Sequence, residues 1–165
     1  MEKQNYDVEA VKERLIDYYE TEKDVDSQIE RLERLEIRLR SIGSPVLSDM
    51  PKGGSPAHDR MADMIAQKVD LENEIRQMVV EQKKERQAIE GILSHLRHSD
   101  EKTVIRMKYL DGFSWGEVLD VLFGGKEDFL DKEDAYTRRM YRIHGSALLN
   151  MARYIETGAG DTGTE

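Results

Sequence analysis

Four arginines and no acidic residue occur between Ala135 and Arg153, in a stretch whose apolar residues recur at helical spacing. Arginine carries a planar fork of donors that fits both phosphate oxygens and the guanine edge in the major groove of DNA. On a helical wheel of about 100° per residue, Arg138 and Arg142 lie on one side, next to Gly145. The opposite, apolar side contains Tyr136, Met140, Ile143, Ala147 and Met151. The pattern predicts a helix that presents arginines to DNA, and an ordinary amphipathic helix with a solvated polar side is the alternative.

The residues expected to contact DNA are the polar and small side chains on and beside the arginine side, with one lysine from an earlier helix. They are Thr137, Arg138, Arg139, Tyr141, Arg142, Gly145, Ser146 and Lys108. Arg138 and Arg142 are expected to read bases, whereas Arg139 and Lys108 are expected to hold phosphates. The glycine would let a backbone come close to the helix.

Two shorter apolar patterns precede the basic helix. The first, EKTVIRMKYL, ends at Asp111-Gly112, and the second, FSWGEVLDVLF, ends at a break of glycines and charges, GGKEDFLDKED. Ser114 and Glu117 have the spacing of a capping box, in which each residue satisfies a free backbone donor of the other. Three short helices of which the last is basic are typical of a helix-turn-helix module.

Within residues 103–151, a series of positions matches a known pattern. The matching residues are Arg106, Tyr109, Leu110, Asp111, Gly112, Ser114, Trp115, Glu117, Val118, Leu122, Ala147 and Leu148. Through them the segment resembles region 4 of bacterial sigma factors, the helix-turn-helix that reads promoter DNA. Most of Val8–Arg153, and YTRRMYRIHGSAL above all, resembles a family of small proteins from phages and prophages of Gram-positive bacteria. That family is related to late-transcription regulators of the ArpU and RinA type.

The chain departs from the sigma pattern at two places. Leu119 stands where the pattern has a small residue, which predicts a wider crossing of the helices. The segment Phe123–Glu133 replaces a tight turn, and it carries Phe129 and Leu130 among charged residues. A neighbouring pair of large apolar residues usually packs, so both are expected to cover the edge of the module core. The alternatives for this insertion are contact with RNA polymerase or a longer wing on the module.

Two long heptad patterns occupy the front half, Asp7–Ile42 and Asp59–Arg97, with mostly apolar residues at alternating steps of three and four. Between them, Ser44–Pro56 contains all three prolines and a Gly-Gly pair, which predicts a flexible linker. Similar lengths and one linker predict an antiparallel coiled-coil hairpin. Apolar residues off its seam predict a homodimer or higher homo-oligomer, or packing on the C-terminal module, and a lone hairpin is the alternative. They are Leu35, Ile65 and Val79.

The predicted fold class is therefore all-α, a long antiparallel coiled-coil hairpin followed by a sigma region 4-like helix-turn-helix module. The hairpin is expected over residues 7–98 with its linker at 44–56, and the module over residues 99–153. Ser99 or Asp100 is expected to cap the first helix of the module. Residues 154–165, mostly Gly, Thr and acid, are expected to form a disordered tail.

Composition excludes several classes of function. The net charge of −9 over 165 residues argues against indiscriminate binding of nucleic acid. The absence of cysteine excludes disulfides and thiolate metal sites. No apolar run approaches the ~20 residues of a membrane span, and the start lacks the features of a signal peptide, so a cytoplasmic location is expected. The resemblance to phage and prophage proteins implies that this cytoplasm is that of a bacterial host.

No pattern of catalytic or cofactor-binding residues is present in the sequence. His95 and His98 are three residues apart but lack a third ligand at a recognisable spacing. Gly124-Gly125-Lys126 lacks the upstream glycine and the Ser/Thr of a phosphate-binding loop. The prediction is a protein without enzymatic activity, metal or cofactor.

Two hypotheses follow for function. The first is a sequence-specific regulator of transcription that binds double-stranded DNA through residues 135–146 and that dimerises or recruits RNA polymerase through the coiled coil. The second is a protein-binding coiled-coil module that engages a host protein such as RNA polymerase without reading DNA. Sequence-dependent, salt-sensitive binding to DNA would distinguish them.

Overall fold

The computed structural model describes residues 6–42 and 56–158, and within these ranges all regular secondary structure is helical. Its helices are α1 (Val8–Ile42), α2 (Pro56–Ser94), α3 (Ser99–Ile105), α4 (Trp115–Phe123) and α5 (Glu133–Thr157). A π-helical segment, Arg106–Leu110, continues α3. The all-α fold class is confirmed, including the pair of long helices that pack together.

The two long helices begin and end close to the predicted residues. Helix α1 begins at Val8, whereas α2 begins and ends about a turn earlier than predicted. Its first residue, Pro56, had been predicted to be linker. Proline suits the first turn of a helix, because the backbone N–H groups of that turn have no acceptor within the helix and the N–H that proline lacks is not needed there. The rest of the predicted linker, residues 44–55, lies outside the described residues.

The chain divides into two compact units whose limits differ from the predicted boundary at residues 98–99. Unit 1 comprises the described residues up to Glu20 and those from Lys84 onward, and unit 2 is Thr21–Lys83. The beginning of α1 and the end of α2 therefore belong with α3, α4 and α5. Sequence periodicity alone assigned them to the hairpin.

Unit 1 contains two neighbouring hydrophobic clusters. In the larger one, Leu15 of α1 and Ile89 and Leu93 of α2 are almost fully buried together with Ala147 and Met151 of α5. The smaller cluster joins α3, α4 and α5. Its buried members are Val104, Val118, Leu119, Phe123 and Met140. Helix α5 is thus held along its length, first by α3 and α4 and then by the ends of the long helices.

The helical stretch that begins with α3 ends at Asp111-Gly112, where the sequence pattern placed its end. Gly112 has a φ of 74°, and a Cβ at this position would lie 3.2 Å from Cε2 of Tyr19. The Arg86 guanidinium holds the turn, because it donates to the Leu110 carbonyl and to the Asp111 carboxylate, both at 2.9 Å. An L side chain at Gly112 would meet both an unfavourable backbone conformation and a neighbouring ring.

The capping box at the start of α4 is confirmed. The Ser114 backbone N–H donates to Glu117 Oε2 at 2.8 Å, and the Glu117 backbone N–H donates to Ser114 Oγ at 3.3 Å. Hydrogen bonds from Ser114 hold the pKa of the Glu117 carboxyl below its usual value. This pair fixes where α4 begins and therefore the position of Trp115, its first residue.

Two of the expected helix ends are wrong. The N-cap of α3 is His98, without a side-chain hydrogen bond, so neither Ser99 nor Asp100 caps the helix. Helix α5 continues to Thr157, into the predicted tail, and ends at Gly158 in the left-handed conformation. The extra turn is anchored by Tyr154, whose ring stacks on His95 at 4.2 Å between centroids. The rest of the predicted tail, residues 159–165, lies outside the described residues.

Of the two apolar residues between α4 and α5 that were predicted to pack, one does and one does not. Phe129 packs beside Tyr136, with ring centroids 6.1 Å apart, and joins the smaller cluster. Leu130 is 85% exposed, so the expectation that it covers the core is wrong. The turn that places Phe129 inward directs its neighbour outward.

Unit 2 is a pair of antiparallel helical segments with a narrow apolar seam. Val25, Leu71 and Ile75 are buried in it. Lys68 of α2 lies 3.7 Å from Glu36 of α1 at the same level. The two charged residues occupy heptad positions at which most residues of both helices are apolar, and they pair with each other across the seam.

Candidate nucleic-acid interface

Helix α5 has one buried side and one exposed side over its first four turns. Met140 and Ala147 are buried, and Ile143 is half-buried. Arg138, Arg142 and the neighbouring positions toward Leu149 are exposed. The wheel drawn from sequence therefore has the correct orientation.

Arg138 and Arg142 lie one helical turn apart on the exposed side. Neither forms an ion pair or hydrogen bond with another residue in the described ranges, 6–42 and 56–158. Gly145, one turn further along, has no atom within 4 Å of the position that a Cβ would take. The surface around these three residues is open to a ligand as large as a nucleic acid backbone.

Arg139 is also exposed but it contacts the protein. Its guanidinium lies over the Phe123 ring, 5.2 Å from the centroid. The contact is a cation–π interaction that keeps the charge at the surface while it orients the side chain. Thr137, beside it in sequence, is half-buried. Of the predicted phosphate-binding residues, Arg139 is therefore placed by the core of the module.

Tyr141 and Lys108 are brought together by Trp115, a residue that sequence reasoning did not assign to the site. The Trp115 ring lies 5.2 Å from the Tyr141 ring in an edge-on arrangement, and the Lys108 ammonium lies 5.2 Å from the Trp115 centroid. Lys108 also donates to the Phe113 carbonyl, at 3.4 Å. Because Trp115 is the first residue of α4, it connects the π-helical segment to the exposed side of α5.

His144 is the half-buried neighbour of this aromatic group. Its ring lies 4.9 Å from the Trp115 ring, and its Nε2 lies 2.9 Å from the Tyr109 hydroxyl oxygen. Burial lowers the pKa of His144 below its usual value, and the charges of Lys12 and Lys108 lower it further. Burial likewise raises the pKa of the Tyr109 phenol. At neutral pH the pair is therefore uncharged, and it packs as part of the core.

Ser146 is exposed, but its hydroxyl donates a hydrogen bond to a buried carboxylate. Glu101 of α3 is only 3% exposed, and it accepts hydrogen bonds from Ser146 Oγ at 2.5 Å and from Asn150 Nδ2 at 3.1 Å. Both donors belong to α5, so this carboxylate fixes the rotation of α5 about its axis relative to α3. Glu101 had no role in the sequence prediction, although it lies one turn before the apolar Val104 and Ile105, on the side that packs.

Acidic residues limit the cationic surface at the start of α5. Glu133 and Asp134 occupy its first turn, where carboxylates are favoured by the helix dipole. Asp128, just before, pairs with Lys132 at 2.7 Å and accepts a hydrogen bond from the Tyr136 hydroxyl, also at 2.7 Å. The uncompensated positive charge on α5 therefore begins at Arg138.

No group of metal-ligating side chains is present in the described part of the chain. His95 contacts other residues of the fold: its Nδ1 lies 2.8 Å from the Gly91 carbonyl oxygen, and its ring stacks on Tyr154. Among the described helices, none is both long and apolar enough to cross a membrane.

Comparisons with protein-family models, curated proteins and solved structures find no match to the chain. The interface described above therefore rests on the geometry and charge of this chain alone.

Proposed function

We propose that this protein is a sequence-specific DNA-binding regulator of transcription that uses α4 and α5 as a helix-turn-helix. The observation that carries the proposal is the pair Arg138 and Arg142, which are exposed one turn apart and lack a partner among the described residues. They lie on the side of α5 opposite to Met140, which is buried. A helix held by its apolar side with free arginines on the other is the arrangement that enters the major groove.

The chemistry of these two side chains favours DNA over a general anion. Arg138 and Arg142 are one turn of α5 apart, so their guanidinium groups can reach two neighbouring bases in one groove. A bidentate contact from arginine to guanine contributes ~1–3 kcal/mol of discrimination against another base. Gly145 continues the same side without a side chain. A DNA backbone can therefore approach α5 closely next to Arg142.

The other candidate residues fit supporting roles. Arg139, oriented by Phe123, and Lys108, held over Trp115, are at the surface on two different helices. We assign them to phosphates, which fix the register of a protein on the duplex without reading sequence. Tyr141 borders Trp115 and adds a hydroxyl at the edge of the surface. Ser146 supports the interface indirectly, because its hydroxyl donates a hydrogen bond to Glu101 and so helps to hold α5 on α3.

The resemblance to sigma region 4 supports the same reading and suggests a phage or prophage origin with RNA polymerase as a further partner. Leu119, where the sigma pattern has a small residue, is accommodated in the core at 6% exposure. The longer connection between α4 and α5 still leaves Met140 of α5 in one cluster with Val118 of α4. Neither departure removes α5 from its position on the module.

Selection of duplexes from a random pool with the purified protein tests the proposal. We expect one enriched motif, with affinity that falls steeply as salt rises. The variant carrying Arg138→Ala and Arg142→Ala should lose the enrichment. A matched control is Arg31→Ala with Arg38→Ala, which removes two exposed arginines from unit 2 and should keep the motif. No enrichment by the folded wild-type protein would contradict the proposal.

Leu130 favours a second candidate function, a protein-binding module that engages RNA polymerase or another host protein without reading DNA. The side chain is 85% exposed and has exposed acidic neighbours at Asp131 and Glu133. The hollow beside Leu130 is lined by three acids, Asp131, Glu133 and Asp134, and by two bases, Lys132 and Arg138. An exposed apolar side chain with a net negative surround fits a basic protein surface better than it fits DNA. If the selection finds no motif while Leu130→Ser abolishes binding to the host polymerase, this second function replaces the first.

A further inference from the structure

Unit 2 exposes apolar residues on one side of its two helices, in addition to those buried in its seam. These residues are 37–63% exposed, although they are isoleucine or valine in every case. We name them the hairpin apolar face. They are Ile29, Ile37, Ile65, Val69, Val79 and Val80.

The position of the six residues can be compared with that of a groove on the other side of unit 2. It is lined by Arg31, Leu35 and Arg38 of α1 and by Gln67, Asp70 and Glu74 of α2. On wheels of about 100° per residue, those lining residues lie to one side of the seam on each helix. Ile37 of α1 and the four α2 residues of the hairpin apolar face lie to the other side of the seam, and Ile29 lies at the border of the seam next to them. They consequently face the same way.

The groove side differs chemically from the hairpin apolar face. Leu35, one of the residues predicted from sequence to need cover, is half-buried among arginines and acids of the groove. Ile65 and Val79, the other two, are 46% and 45% exposed on the apolar face. The unsatisfied apolar surface of unit 2 is therefore concentrated on one side.

We propose that the hairpin apolar face binds the same face of a second copy of this chain and forms a homodimer. If fully covered, the exposed parts of the six side chains amount to roughly 500 Å² per copy, which is at the upper end of what monomers leave uncovered in one patch. Two copies would bury roughly 1,000 Å² of apolar surface, and the polar atoms between them bring the total into the range of a specific interface.

The charged residues on the hairpin apolar face also favour a second copy of this chain as the partner. Arg76 and Glu33 lie among the apolar residues on the same wheels, and both are exposed. Within the described ranges Arg76 has only a long contact to Asn73, 3.4 Å, and Glu33 has no ion pair. The same wheels place the exposed Asp26 and Lys83 on this side as well. A surface that carries charges of both signs can pair with itself across a two-fold axis. A partner with a single sign of charge would leave the charges of that same sign unpaired.

Sedimentation velocity of the full chain at several micromolar concentrations tests this proposal. We expect a concentration-dependent dimer for the wild-type protein. Ile65→Lys combined with Val79→Lys places two charges in the face, and it should raise the dimer Kd by about 100-fold or more. Because both positions are about half exposed in the monomer, the variant should retain its helix content by far-UV circular dichroism.

The matched control is Ile42→Lys, since Ile42 is 44% exposed in the same unit but lies on the groove side of α1. It should dimerise like the wild-type protein. The concentrations tested should run from about 1 μM to about 50–100 μM. A wild-type protein that remains monomeric at the highest concentration overturns the proposal. So does a dimer that the face variant retains unchanged. Neither outcome bears on DNA binding by α5, which is measured separately.

Discussion

Removal of the Glu101 carboxylate should loosen α5 from α3. Glu101 is 3% exposed and accepts one hydrogen bond from Ser146 and two contacts from the Asn150 amide. Hydrogen bonds to a charged acceptor contribute ~1.5–3 kcal/mol each, but part of this is offset by the cost of burying the carboxylate. Since Ser146 is exposed and can bond to water instead, we expect Glu101→Ala to lower the free energy of unfolding by about 1–3 kcal/mol.

Two further variants separate hydrogen bonding from charge. Glu101→Gln keeps an acceptor oxygen for Ser146 and the shape of the side chain, so its loss should be less than about half of the loss from alanine. Glu127→Ala is a control, because Glu127 is exposed in the same unit and should change stability by less than ~0.5 kcal/mol. Urea denaturation followed by far-UV circular dichroism gives all three values. Equal stability of the Glu101→Ala and Glu127→Ala variants would refute the reasoning that this buried carboxylate holds α5.

Two other predictions follow from the structure of unit 1. The fold favours the neutral form of His144, so the pKa of His144 is lower in the folded chain than its value near 6.5 in the unfolded chain. As pH falls below about 6.5, the unfolded chain therefore takes up the proton first. The free energy of unfolding decreases from that pH down to the folded pKa. His144→Gln should remove this part of the pH dependence below about pH 6.5, as measured by urea unfolding at each pH, and equal slopes in both proteins would contradict it. Gly112→Ala should destabilise by about 1–3 kcal/mol in thermal or urea unfolding, because φ is 74° and the new methyl group would lie 3.2 Å from Tyr19. Gly91→Ala, in a helix with nothing within 4 Å, should be neutral or stabilising, and the reverse order of the two glycine variants would be inconsistent with the described turn.

The helices of this chain could be predicted because their signals are local. Heptad spacing marked both long helices, and the capping box at Ser114 marked the start of α4. The exposed side of α5 was also predictable, because a helical wheel needs only the sequence and the period. The error at Pro56 arose because proline is common both just after the end of a helix and in the first turn of one, and spacing alone does not distinguish the two roles.

The division into units was not predictable from local patterns. Leu15 and Ile89 follow the same heptad as the rest of α1 and α2, but they are buried against Ala147 and Met151 of α5. Contacts between residues so far apart in sequence leave no periodic signal. The prediction that the hairpin ends at residue 98 followed the heptads and could not include these contacts.

The candidate site was predictable in its exposed residues and not in their supports. Arg138 and Arg142 were recognised because an exposed arginine is defined by its own helix. The roles of Glu101 and Trp115 depend on which residue of another helix lies opposite, Ser146 and Tyr141 respectively. Leu130 shows the same limit, because hydrophobicity alone gave it the buried position that only Phe129 occupies.

The measurement that tests the central claim most directly is a binding titration of Arg142→Ala. The wild-type protein and the variant are titrated with the selected duplex and with a scrambled duplex at two salt concentrations. If Arg142 reads a base, the variant should lose ~1–3 kcal/mol on the selected duplex, about 5- to 150-fold in Kd, with little change on the scrambled one. Arg31→Ala is the control for loss of one exposed arginine. Unchanged binding of a folded Arg142→Ala variant to the selected duplex, together with the same result for Arg138→Ala, would contradict the assignment of α5 as the reading helix.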